Sequence, residues 1–170
     1  EAFAPVTLSI EQKQGIINIY AISDRERDFK STLTITLTDF NGKTIEESSQ
    51  PVTIKASTAE IVKTLIENKQ INNENRNKLL MKVTLTNGNK TIAQYIHYFE
   101  APKNLQLEQP DIKTVISSSK PGQVTIQLET NKLVKDLMLT IPNQFTHFSN
   151  NYFDLLPGEP AIITLKTNMT

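Results

Sequence analysis

The stretch Thr32–Gly42 restricts the possible folds more than any other. Leu33, Ile35 and Leu37 alternate without a break against Thr34, Thr36 and Thr38, the period of a strand that buries one face and wets the other. Asn41-Gly42 follows at once, a pair that accepts the positive φ angles of a two-residue hairpin turn. Lys43–Glu47 then returns antiparallel, and Pro51 opens another strand, Val52–Ala56, at a position where a missing N–H is tolerated.

The same grammar recurs on both sides of this hairpin. Val6, Leu8 and Ile10 alternate with Thr7 and Ser9. Gln14-Gly15 turns the chain into Ile16–Ile22, whose apolar residues on both faces predict a central strand covered on both sides. Asp24–Asp28 is a run of charge and reads as a solvated loop. Ser57–Ile66 fits a short helix capped by Ser57 or Thr58 as well as it fits a strand. Asn68–Lys78 is Asn-rich and polar, hence a loop, and Leu80–Thr86, Asn87-Gly88-Asn89 and Thr91–Phe99 form a second hairpin.

Glu100–Asn104 is the predicted domain boundary, because Pro102 halts the ladder and a polar stretch reaching Pro110 follows. The apolar period then restarts at Ile112–Ile116, turns at Pro121-Gly122, and continues through Val124, Ile126 and Leu128 and through Leu133–Ile141. Phe148–Pro160 holds aromatics, Asn and the turn pair Pro157-Gly158, and it launches Ala161–Lys166. The count is about seven strands before Pro102 and about five after it, the spacing of β-sandwiches. The expected fold class is all-β, with two tandem sandwich domains at 1–107 and 108–170. The second is small enough to bury only roughly 60% of its unfolded surface, so it is expected to lean on the first for stability.

Composition removes several functions. The 18 basic and 18 acidic residues cancel, which leaves no basic field for nucleic acid or an anionic membrane. No apolar run approaches the length of a membrane-spanning helix. Glu1–Pro5 lacks the basic and apolar regions of a signal peptide and reads as a cut within a longer protein. The chain has no Cys, which excludes disulfides, thiolate metal sites and Cys nucleophiles but leaves the compartment open. With only 5 Gly, Gly-rich phosphate loops are not expected.

Candidate constellations are weak. Hydrolysis of glycosides needs two carboxylates facing across a cleft, and nothing singles out a pair among the 18 acids. Asp24, Glu26 and Asp28 share the early spacing of a calcium loop, but the sixth position is Phe29 rather than Gly and the twelfth is Ile35 rather than Glu. His97 and His147 stand alone, so neither a metal nor a cofactor is expected. No G-x-S-x-G elbow exists, and Asn89-Lys90-Thr91 and Asn168-Met169-Thr170 are short enough to match the glycosylation pattern by chance. Sugar-binding sandwiches stack sugars on exposed aromatics. The chain has no Trp, Tyr20, Tyr95, Tyr98 and Phe99 lie in strands where packing is the expected use, and only Tyr152 and Phe153 stand beside a turn.

Phe148-Ser149-Asn150-Asn151-Tyr152-Phe153-Asp154-Leu155-Leu156-Pro157-Gly158-Glu159 resembles the end of the C-terminal immunoglobulin-like domain of family 2 β-mannosidases, departing only at Asn150, where Asp is usual. Ile19–Asp24, the run Leu33-x-Ile35-x-Leu37-x-Asp39-Phe40-x-Gly42, and Tyr98-Phe99 with Pro102-Lys103-Asn104-Leu105-x-Leu107 resemble the preceding domain of the same enzymes. The resemblance implies two tandem immunoglobulin-like β-sandwiches that follow a (β/α)8 catalytic barrel holding both catalytic glutamates. The parent would release terminal non-reducing β-mannose with retention; no catalytic residue maps onto this chain. The motif residues Phe148, Ser149, Asn151, Tyr152, Phe153, Asp154, Pro157 and Gly158 are then structural, with contact at the active-site rim as a further option.

The implied partners are the barrel of the parent enzyme and, as an option, a second copy across a dimer contact; nucleic acid and membrane are not. A bacterial glycan-degrading parent would place the chain in the periplasm or outside the cell. The alternatives are a stand-alone carbohydrate-binding or adhesion module, with sugar contact by Tyr152 or Phe153 weighed against packing, and the accessory domains of another family 2 glycosidase.

Overall fold

The computed structural model describes residues 6–67, 69–142 and 148–166. The chain forms two compact units, Glu1–Asp39 with Thr44–Leu105 and Phe40–Lys43 with Gln106–Thr170. Among the described residues regular structure is β-strand apart from one 3-10 turn at Pro102–Asn104.

The first unit holds seven strands: β1 (Val6–Lys13), β2 (Ile16–Ser23), β3 (Phe29–Asp39), β4 (Thr44–Ile54), β5 (Thr58–Ile66), β6 (Leu79–Asn87) and β7 (Lys90–Tyr98). They make two antiparallel sheets, ordered β1-β2-β5 and β4-β3-β6-β7. Period-two alternation sends Leu33, Ile35 and Leu37 of β3 and Met81, Val83 and Leu85 of β6 inward. There they meet Leu8, Ile17, Ile19 and Ala21 from the facing sheet in one buried core. Fully buried side chains such as Ile19 and Leu33 contribute about 1.5–3 kcal/mol each.

Two expectations change and one open alternative is resolved. β2 is central in its sheet but covered on one face only: Ile17, Ile19 and Ala21 are buried while Ile16 and Ile22 are exposed. Ser57–Ile66 is a strand, with Ser57 at φ 49° turning the chain into β5 rather than capping a helix. The two strands expected at Lys43–Glu47 and Val52–Ala56 are one continuous β4, with Pro51 opposite Thr32 in the middle of the ladder. β4 is an edge strand, the location in a sheet that tolerates proline's missing donor.

The second unit contains β8 (Ile112–Lys120), β9 (Gln123–Thr130), β10 (Val134–Leu137), β11 (Phe153–Leu155) and β12 (Ala161–Lys166). They form a sheet ordered β12-β9-β8 and a two-stranded sheet β10-β11. Leu128, Leu155 and Ile163 are its buried centre, with Phe148, Phe153, Val134, Leu137 and Leu139 packed around them. The strand expected over Leu133–Ile141 is only Val134–Leu137, and within it a bulge with Asp136 at φ 53° shifts the register against β11. The hairpin tip Phe40–Lys43 contributes to this unit: the Leu133 N–H donates to the Phe40 carbonyl at 2.8 Å.

Candidate functional site

In the segment Phe148–Glu159 the side chains of Ser149, Asn151 and Asp154 serve the backbone. Phe148 bridges Leu165 of β12. Ser149 donates its N–H to the Thr164 carbonyl at 2.9 Å and accepts the Thr164 N–H on Oγ at 2.8 Å, so a side chain completes a ladder step. Asn151 accepts the Leu139 N–H at 2.7 Å and returns Nδ2–H to the Leu139 carbonyl at 3.0 Å. Asp154 accepts the Asp136 N–H at 2.8 Å, the donor that the β10 bulge leaves without a strand partner. Lys135 lies 3.8 Å from the same carboxylate.

Leu156–Glu159 closes the segment as a β-turn. The Glu159 N–H donates to the Leu156 carbonyl at 3.2 Å, with Pro157 and Gly158 (φ 76°) at the central positions, the type II preference of Pro then Gly. This aims Leu155 and Leu156 into the core and starts β12. Phe153 packs in the cluster that holds Leu155. Tyr152, by contrast, sits at φ 56° and is 70% exposed.

The other sequence candidates lie elsewhere. Asp28 is held below the ordinary carboxylate range, chiefly by the Ala56 N–H (2.8 Å) and then by Lys55 (3.2 Å). It therefore ties its loop to the β4–β5 turn. Among the described residues no group of three or more His, Cys, Asp or Glu is arranged to hold a metal. Asn89 lies in the exposed turn between β6 and β7. Asn168 and His147 lie outside the described residues. Tyr20 is on the outer face of β2 rather than in the core. Its phenol donates to Glu11 at 3.1 Å, which raises its pKa.

A part-buried polar chain in the first unit has no local signature in sequence. His97 Nε2 is 2.7 Å from Gln12 Oε1, and Gln12 Nε2 donates to Glu67 at 2.7 Å. A carboxylate can only accept, so the Gln12 amide is fixed and the imidazole carries its proton on Nε2. Burial holds His97 below its usual pKa, partly offset by the Glu67 charge. Arg76 then meets Glu67 at 3.3 Å, Glu100 at 3.1 Å and the Phe99 carbonyl at 3.3 Å. Gln12 and His97 are 85 residues apart, and only the folded register brings them together.

The fold defines a class, immunoglobulin-like β-sandwich modules. A family model described as a mannosidase Ig/CBM-like domain matches residues 15–104, and one described as an Ig-fold domain matches residues 107–170. The chain belongs to the family of mannosidase immunoglobulin-like domains. Among solved structures, a β-D-mannosidase from Dictyoglomus thermophilum superposes with a TM-score of 0.81 at 17% identity, covering 97% of this chain and 20% of that one. An exo-chitosanase from Amycolatopsis orientalis gives a TM-score of 0.59 at 14% identity, with 94% and 23% covered. These are likenesses of fold, and this chain spans about a fifth of the length of each solved relative. No curated protein matches the chain.

Proposed function

We propose that this chain is the pair of non-catalytic C-terminal sandwich domains of a family 2 β-mannosidase, in which a separate barrel performs the chemistry. The observation that carries this reading is the succession of two mannosidase-type domain matches along one chain, supported by the fold likeness to a β-D-mannosidase. The use of Ser149, Asn151 and Asp154 on backbone groups also supports it, since these motif side chains are committed to architecture. The role is to buttress the barrel of the parent, with Tyr152 as the motif residue exposed enough to reach a partner surface. A bacterial, exported parent fits a glycan-degrading enzyme of this kind.

An assay of the 170 residues with an aryl β-mannoside tests the non-catalytic half, with no turnover expected and turnover overturning it. Titration with manno-oligosaccharides followed by NMR is expected to give no saturable shifts at Tyr152 or Phe153; saturable shifts would move the reading to a glycan-binding module. Reading the gene upstream of Glu1 tests parentage. A barrel with the specificity of another family 2 glycosidase would replace the β-mannoside assignment.

A further inference from the structure

The edge strand β4 carries polar residues at three successive inward positions. Across the ladder from the inward-facing Leu33, Ile35 and Leu37 stand Gln50, Ser48 and Glu46. The same face also carries His97, opposite Met81, and the buried Ser31, and on β4 apolar character resumes at Val52 and Ile54. Departures from local pattern without local benefit concentrate at functional positions. Here the departure coincides with a cavity of about 340 Å³ between the two sheets, at the lower end of the roughly 300–1,000 Å³ of small-molecule sites.

The cavity is chemically two-sided. Its floor is Ile17, Ile35, Leu37, Leu65, Met81 and Phe99, most of them core side chains. Its β4 wall includes Glu46 and Ser48. Beyond Ser48 the gap between sheets is bridged by Lys63 Nζ donating to Gln50 Oε1 at 3.0 Å. Ile71, from the loop that Arg76 belongs to, lines another part of the cavity. A floor of this kind offers an apolar body nothing to hydrogen-bond, while the β4 wall includes hydrogen-bond acceptors.

We infer that this cavity is a binding site for a small amphiphile, an alkyl or aryl body seated on Leu37, Met81 and Phe99 with a hydrogen-bond-donating ammonium or hydroxyl head at Glu46 and Ser48. The site lies wholly within the first unit.

Methyl-detected NMR of the whole chain tests it with hexylammonium as probe and hexanoate as the charge-inverted control. Saturable shifts are expected at the Leu37, Leu65 and Met81 methyls with hexylammonium, and binding of hexanoate about tenfold weaker, the effect of about 1.4 kcal/mol. Ser48→Phe places a ring in the cavity and should abolish the shifts, with circular dichroism confirming the fold. Glu46→Lys, at an exposed edge position, should reverse the preference between the two probes, and it decides the matter if Ser48→Phe does not fold. Absence of saturation, equal binding of both probes, shifts spread away from these methyls, or an unaltered preference in Glu46→Lys would overturn the assignment.

Discussion

Asn151 holds the peptide unit of Leu139 by both its polar groups, accepting the N–H at 2.7 Å and donating to the carbonyl at 3.0 Å. The amide thus does what a neighbouring strand would do, just past the end of β10. Asn151→Ala leaves both backbone groups without this partner and should cost about 1–3 kcal/mol in urea unfolding. Asn151→Asp is the sharper change, since it turns the donor into an oxygen that faces the Leu139 carbonyl. Its deficit should shrink as pH falls and the new carboxyl protonates and donates again.

Gly42 and Gly88 both have positive φ, 86° and 59°, but a methyl at Gly42 would lie 2.8 Å from Pro157 Cβ while one at Gly88 meets nothing within 4 Å. Gly88→Ala should therefore cost backbone strain alone, about 1–2 kcal/mol. Gly42→Ala adds overpacking, for a total of roughly 2–5 kcal/mol. Pro157→Gly should recover part of that loss, and a double-mutant cycle in thermal unfolding measures the coupling.

Arg76 joins Glu67, Glu100 and the Phe99 carbonyl at once. Its side chain and that of Glu67 are only 26% and 17% exposed, so these contacts are less screened than surface pairs. Arg76→Ala should cost about 1–3 kcal/mol, and Arg76→Lys most of the same, because an ammonium lacks the fork that serves three acceptors. Denaturant midpoints check both.

His97 has its pKa lowered from the usual 6.5 by burial, so protonation favours the unfolded chain. Its contribution is fully present above about pH 6.5 and is lost as pH falls through the depressed folded-state value. The urea midpoint should therefore drop between pH 7 and pH 5. His97→Gln, which still offers Gln12 an N–H, should flatten that part of the profile; an unchanged slope would assign the acid sensitivity to other groups.

Strands whose two faces differ in polarity were readable in sequence. Leu33, Ile35 and Leu37 against their threonines predict β3, and the Asn41-Gly42 pair predicts its turn. Where a bulge interrupts the period, prediction fails. The register slips between Tyr20 and Ile19 opposite Ile61 and Lys63, so Ile61, Leu65 and Ile66 no longer alternate and a helix looks equally good. Ile16 and Ile22 mislead differently: they are apolar but exposed, and sequence cannot tell an uncovered sheet face from a covered one. The motif Phe148–Glu159 was legible as a family feature. The partners of its side chains were not, because Leu139 and Asp136 reach them through tertiary register.

Pro51 stands in the middle of β4, on the open margin of the sheet β4-β3-β6-β7. A proline in an edge strand removes one backbone donor from the run along which a strand from another molecule would pair. An extended run such as Thr44–Ile54, which would otherwise template intermolecular pairing, is in this way made a poor seed for aggregation.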